Sequence, residues 1–156
     1  MDQFDPNIPG LIQGDITSVT AIDPALVFPG FEVGNRVIDP TRPFDVNITW
    51  ELTGLIAPLW LHALGGNWDV SVYAESLGGG NEIRLGTNNT VPAVFNQLTY
   101  SATVTVPGNT LQRHEPGTDQ SGVYKLVVAL FLNSSLGPPG FDIIGFSEGP
   151  ILQLAR

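Results

Sequence analysis

Gly145-Phe146-Ser147-Glu148-Gly149 spells G-x-S-x-G. That pattern places a nucleophilic serine on a sharp strand-to-helix turn, with an acid and a histidine following in the chain to activate it. Seven residues follow Gly149, beginning with Pro150, and none is histidine. Neither the helix nor the general base can form, so the pentapeptide reads as a glycine-flanked turn between two strands. His62 sits in an apolar stretch and His114 in a polar loop, and the chain has no cysteine. Two imidazoles fall short of the three or four converging ligands a zinc site needs. Asp45, Glu51, Asp69 and Glu75 alternate with apolar neighbours, the placement of carboxylates on a solvated strand face. A glycosidase would need paired acids in an aromatic-lined cleft, yet Trp50 and Trp68 fall on inward apolar stripes. With no intact catalytic signature, the sequence predicts a protein that is not an enzyme.

Calcium sites gather carboxylates and carbonyls from loops. Asp-Pro occurs at Asp5, Asp23 and Asp39, and Glu115 shares a loop with Asp119, but no D-x-D-x-D-G pattern appears. No cofactor is expected, and calcium on the acidic loops is the one ion left open. Gly78-Gly79-Gly80 lacks the Lys-Ser/Thr of a phosphate loop and reads as a hairpin connection. The 156 residues carry 15 acidic and 6 basic side chains, net charge -9, with Lys125 the only lysine. Five scattered arginines cannot neutralise successive phosphates, which excludes nucleic acid and anionic membrane surfaces as partners. The most apolar windows, 55–64 and 123–132, are about half the length that spans a bilayer, so no membrane insertion is expected. The first residues lack the basic and apolar regions of a secretory signal. Localisation stays open: extracellular or surface if the chain is processed, otherwise cytoplasmic.

The elements that must position these residues follow a period of two. Phe44, Val46, Ile48, Trp50 and Leu52 alternate with Asp45, Asn47, Thr49 and Glu51, one dry face and one wet. Trp68 to Glu75 and Leu98 to Val106 alternate in the same way. From Tyr124 to Leu132 both rows are apolar, which predicts a strand covered on both faces. Shorter strands are predicted at 16–22, 36–38, 82–85, 142–146 and 151–155, with glycine and proline turns between them and no helix. Six to nine short strands make an all-β antiparallel sandwich of 15–156, preceded by an extended arm over 1–14. At this length a single core forms without disulfide or metal staples.

Ser121-Gly122-Val123-Tyr124-Lys125-Leu126 resembles the tyrosine corner of the immunoglobulin-like and fibronectin-III-like β-sandwich superfamily, in which Gly-x-Tyr or Ala-x-Tyr precedes strand F. Tyr124 matches the structural tyrosine. Leu126 stands where antibody domains carry a cysteine, so the resemblance implies a Greek-key, immunoglobulin-like sandwich without its disulfide. Gln120 occupies the usual acidic position four residues before the tyrosine. The resemblance makes 44–52 strand B, 68–75 strand C, 82–85 strand C', 98–106 strand E, 124–132 strand F and the last run strand G. It implies a fold more than a function.

The remaining anomaly is apolar surplus. Only 13% of residues are charged, against a usual share of about 25%. Leu55, Ile56, Leu59, Trp60, Leu61 and Leu64 crowd a connection where an ordinary loop is polar. Val127 and Phe131 add an apolar outer row to strand F. Two outcomes are open: the 55–64 segment folds over that row as a lid, or both are buried against a partner. The expected function is a non-enzymatic structural or protein–protein interaction module that associates with further copies of itself, its arm adding to a neighbour's sheet edge. The alternative is a calcium- or carbohydrate-binding accessory domain.

Overall fold

The computed structural model describes residues 3–23, 37–112, 122–136 and 143–154. It is an all-β sandwich of two sheets. β2 (Gln13–Ile22), β4 (Phe44–Thr53) and β7 (Thr99–Val106) form an antiparallel three-stranded sheet with β4 central. The other sheet runs β1 (Gln3–Asp5), β9 (Ile144–Leu154), β8 (Val123–Asn133), β5 (Asn67–Ser76) and β6 (Ile83–Pro92). β3 (Val37–Ile38) lies parallel to the last residues of β9, the one parallel pairing among the described residues; the other described pairings of that sheet are antiparallel.

The period-two stripes fold as their chemistry dictates. The apolar rows of β4, β5, β7 and β8 all face inward and are buried. At the centre Trp50 stacks on Tyr100, its register partner on β7, at 5.8 Å. Trp68 meets Trp50 edge-on at 5.6 Å and Tyr100 at 5.4 Å. Each fully buried large side chain contributes about 1.5–3 kcal/mol over leaving it in water. The indole N–H groups of Trp50 and Trp68 find no hydrogen-bond acceptor among the described residues. An unpaired buried donor costs about 1–3 kcal/mol, so area and ring contacts hold this cluster.

Five features differ from the sequence expectation. Of the runs at 142–146 and 151–155, residues 144–146 and 151–154 belong to a single strand, β9, which bulges where Lys125 and Val127 face Ile151 and Glu148, while 142 and 155 lie outside the described residues. There Gly149 and Pro150 together oppose Leu126, one residue more than on β8, and both are types that interrupt a ladder. G-x-S-x-G is therefore strand, not turn, and Ser147 is buried. The 82–85 run extends to Pro92 as an edge strand whose last six residues are mostly polar. The N-terminal arm is docked, β1 pairing with β9. Finally, residues 57–64 are helical. The outer row of β8, expected to be covered, is half-buried.

Candidate interaction surface

Helix α1 (Ala57–Leu64) fills the connection between β4 and β5. Pro58 lies in its first turn, where its missing N–H is no loss. Gly65 and Gly66 stop it at φ 58° and 82°, and the Gly65 N–H closes the last turn on the Leu61 carbonyl at 2.9 Å. Ala57, Leu61 and Leu64, spaced i, i+4, i+7, are buried and join the core. The helix is tied down on both sides. Leu55 and Ile56 donate backbone N–H bonds to the carbonyls of Gly10 and Leu11, and Ser135 donates through backbone and hydroxyl to the Leu64 carbonyl.

α1 thus closes one end of the sandwich and does not lie over the outer face of β8. By register, four connections converge at this end: the entry to β2, the β4–β5 helix, the β6–β7 turn and the β8–β9 connection. Residues 6–14, 52–66, 91–98 and 132–136, which build it, contain no Asp, Glu, Lys or Arg. Asp142 lies outside the described residues. Exposed apolar side chains collect here instead: Leu55 at 81% and Leu59 at 64% exposure, with Ile8, Leu11, Val94, Phe95 and Leu136 around them. The imidazole of His62 packs against the Phe95 ring, centroids 5.2 Å apart.

The candidate residues divide. Leu55 and Leu59 are exposed on this end, and Ile56 and Trp60 are half-buried beside them, packed on the core. Leu61 and Leu64 are buried within their own molecule and offer nothing to a partner, because the helix turns them inward. Val127 and Phe131 are half-buried on the outer face of the larger sheet, a different surface from α1. Ile8, Leu11, Val94, Phe95 and Leu136 were not singled out by sequence reasoning. Their common signal is the missing charge in all four connections, visible only once those connections are known to converge.

Elsewhere the charges are ordinary. Lys125 bridges Glu75 at 3.1 Å and Glu148 at 3.4 Å on the outer sheet face. The Tyr124 hydroxyl donates to the Gln112 carbonyl at 2.9 Å. An open groove of about 510 Å³ lies between β2 and the β9 bulge, with Glu148 its single ionisable lining residue. That offers no partner for acid–base work. Among the described residues no three His, Asp or Glu side chains gather to hold a metal ion. Glu115, Asp119 and His114 lie outside them. No protein-family model matches this chain, and no curated protein matches it.

Proposed function

We propose that this chain is a non-enzymatic structural or protein–protein interaction module that associates with further copies of itself through the apolar end of the sandwich. One observation carries the reading: exposed Leu55, Leu59, Phe95 and Leu136 share an end whose described residues hold no Asp, Glu, Lys or Arg. Scattered exposed leucines need no explanation, whereas a gathered patch marks an interaction site.

Electrostatics favour a second copy. Each molecule carries net charge -9, so most approaches of two copies bring carboxylates together. End-to-end contact does not. The nearest described strand carboxylates, Asp5, Asp15, Glu51 and Asp69, stand in register rows no more than two residues inside the ends of the central strands. That is roughly 3–7 Å back from the end, so carboxylates on opposed copies are separated by about a Debye length at physiological salt, ~8 Å. A two-fold contact uses the same patch on both copies. Added salt therefore tightens the association.

The finer fold type belongs to this proposal. An immunoglobulin-like arrangement is supported by the β2-β4-β7 order as strands A, B and E, and by β9-β8-β5-β6 as G, F, C and C'. The Tyr124 hydroxyl bond back to the Gln112 carbonyl, twelve residues upstream, supports the reading as a contact like that of a tyrosine corner. The test is sedimentation velocity across a concentration series, wild type beside Leu59→Glu. Reversible dimers in the wild type and monomers in the variant are expected. A wild type that stays monomeric at the highest soluble concentration sinks the proposal.

A further inference from the structure

We infer that α1 of one copy packs antiparallel on α1 of a second copy, with Leu59 at the two-fold axis and each Leu55 against the other copy's Ala63. This deepens the self-association proposed above and rests on it. Leu55 and Leu59 are the two most exposed large apolar side chains among the described residues, at 81% and 64%. Ile8, Leu11, Val94, Phe95 and Leu136, from the other connections of this end, are between 42% and 49% exposed. The crest of the apolar end is therefore the α1 segment.

The spacing along that crest suits a helix. Leu55, Leu59 and Ala63 stand at i, i+4 and i+8, through the turn that enters α1 and along the helix itself, so they lie in one row. Backbone bonds hold the entry in shape. The Ala57 N–H reaches the Gly54 carbonyl across Leu55 and Ile56, and the Trp60 N–H reaches that of Ile56. Ala57, Leu61 and Leu64 fix the opposite side of the helix in the core. His62 packs its ring against Phe95, and Ala63 beside it is exposed. The row thus runs large, large, small over about 12 Å of helix.

Such a row complements itself only when reversed. A two-fold contact presents the same residues from both sides. Aligned in parallel, Leu55 would meet Leu55 and Ala63 would meet Ala63, which crowds one end of the contact and leaves a gap at the other. Reversed about Leu59, each leucine at 55 faces the alanine at 63 of the other copy, and large against small fills the space on both sides. The partner that fits this row is therefore the row itself, carried by a second copy.

Side-chain size then decides the contact, and exchanging sizes tests it. Leu55→Ala leaves a gap over each Ala63, and Ala63→Leu drives a leucine against each Leu55. Alone, each variant should dissociate about 10-fold or more readily than the wild type, because the gap or overlap occurs twice in the dimer. Mixed in equal amounts, the two variants should form heterodimers within about 3-fold of the wild-type affinity, since every leucine again faces an alanine. Sedimentation velocity on wild type, each variant and the mixture reads this, and circular dichroism checks that these exposed substitutions leave the fold intact. Either variant associating as well as the wild type overturns the helix pairing, because the surface then answers to apolar area alone. A mixture no tighter than its parts overturns it too. Both results leave self-association standing, whereas a wild type that is monomeric at the highest soluble concentration overturns the proposed function itself.

Discussion

The aromatic ring of Phe4 fills the space a side chain at Gly145 would need: Phe4 Cε2 stands 2.6 Å from where a Cβ on Gly145 would be. The two residues are register partners between β1 and β9. Gly14 on β2 yields to the same ring. Two glycines, one from each sheet, thus form the seat of the arm. Gly145 is not in the left-handed region, so its substitution is a purely steric event.

Gly145→Ala should therefore dislodge β1, a three-residue strand, and leave the sandwich folded. Overpacking of this kind costs roughly 1–3 kcal/mol. Hydrogen exchange reads it directly. Amide protection at Gln3–Asp5 should vanish while that of β8 persists, and retained protection at β1 would show that the ring has another seat.

Tyr124→Phe removes one hydrogen bond and almost no area. The ring is fully buried, but the acceptor, the Gln112 carbonyl, belongs to an exposed residue that water can reach. The loss in urea unfolding should be about 0.5–1.5 kcal/mol. A loss no larger than scatter would remove the hydroxyl's role in anchoring the connection before β8.

Leu59 and Leu61 stand two residues apart on α1 and should behave oppositely. Leu61 is 1% exposed, and Leu61→Ala should lower monomer stability by about 2–5 kcal/mol. Leu59→Ser should change it by less than about 0.5 kcal/mol. Denaturation at dilute concentration measures both, and similar losses would mean that α1 does not present two distinct faces.

Two carboxylate and lysine sites set a pH dependence. Asp39 accepts the Thr41 hydroxyl at 2.7 Å, the Thr41 N–H at 2.9 Å and Arg42 Nε at 3.1 Å. The Thr41 hydroxyl is the leading cause that holds its carboxyl below the usual aspartate range. Its stabilisation is thus full above the unfolded value and is lost as pH falls through the lowered one. Lys125 is pushed up, chiefly by its bond to Glu75. Its contribution is full below the unfolded lysine value and lost as pH rises through the raised one. Carboxyl and ammonium NMR titrations should show both displacements, and Lys125→Met should abolish the alkaline one.

The strands were legible wherever one face is wet and the other dry. β4, β5 and β7 show that alternation because each has a core side and a solvent side. β6 extends further than the sequence pattern predicts because its edge residues Thr87, Asn88, Asn89 and Thr90 are polar and carry no apolar row. β9 was split because Gly149 and Pro150, which make its bulge, are also turn residues. α1 escaped for a more telling reason. Its buried stripe, Ala57, Leu61 and Leu64, has helical spacing, but Leu55 and Leu59 on the other face are apolar too. The contrast that reveals a helix is erased, and the same exposed leucines make the candidate surface.

By itself, then, the amino-acid sequence determined an acidic, cysteine-free sandwich with its stripes facing inward, because the period of the side chains is a local property. It also placed an apolar surplus between β4 and β5. Only the tertiary structure decided which of those residues are spent on the core and which reach solvent, because burial depends on the neighbour across the fold. It alone brought residues 6–14, 52–66, 91–98 and 132–136 to one end. Four uncharged connections far apart in the chain become a surface only when antiparallel pairing aligns their strand ends.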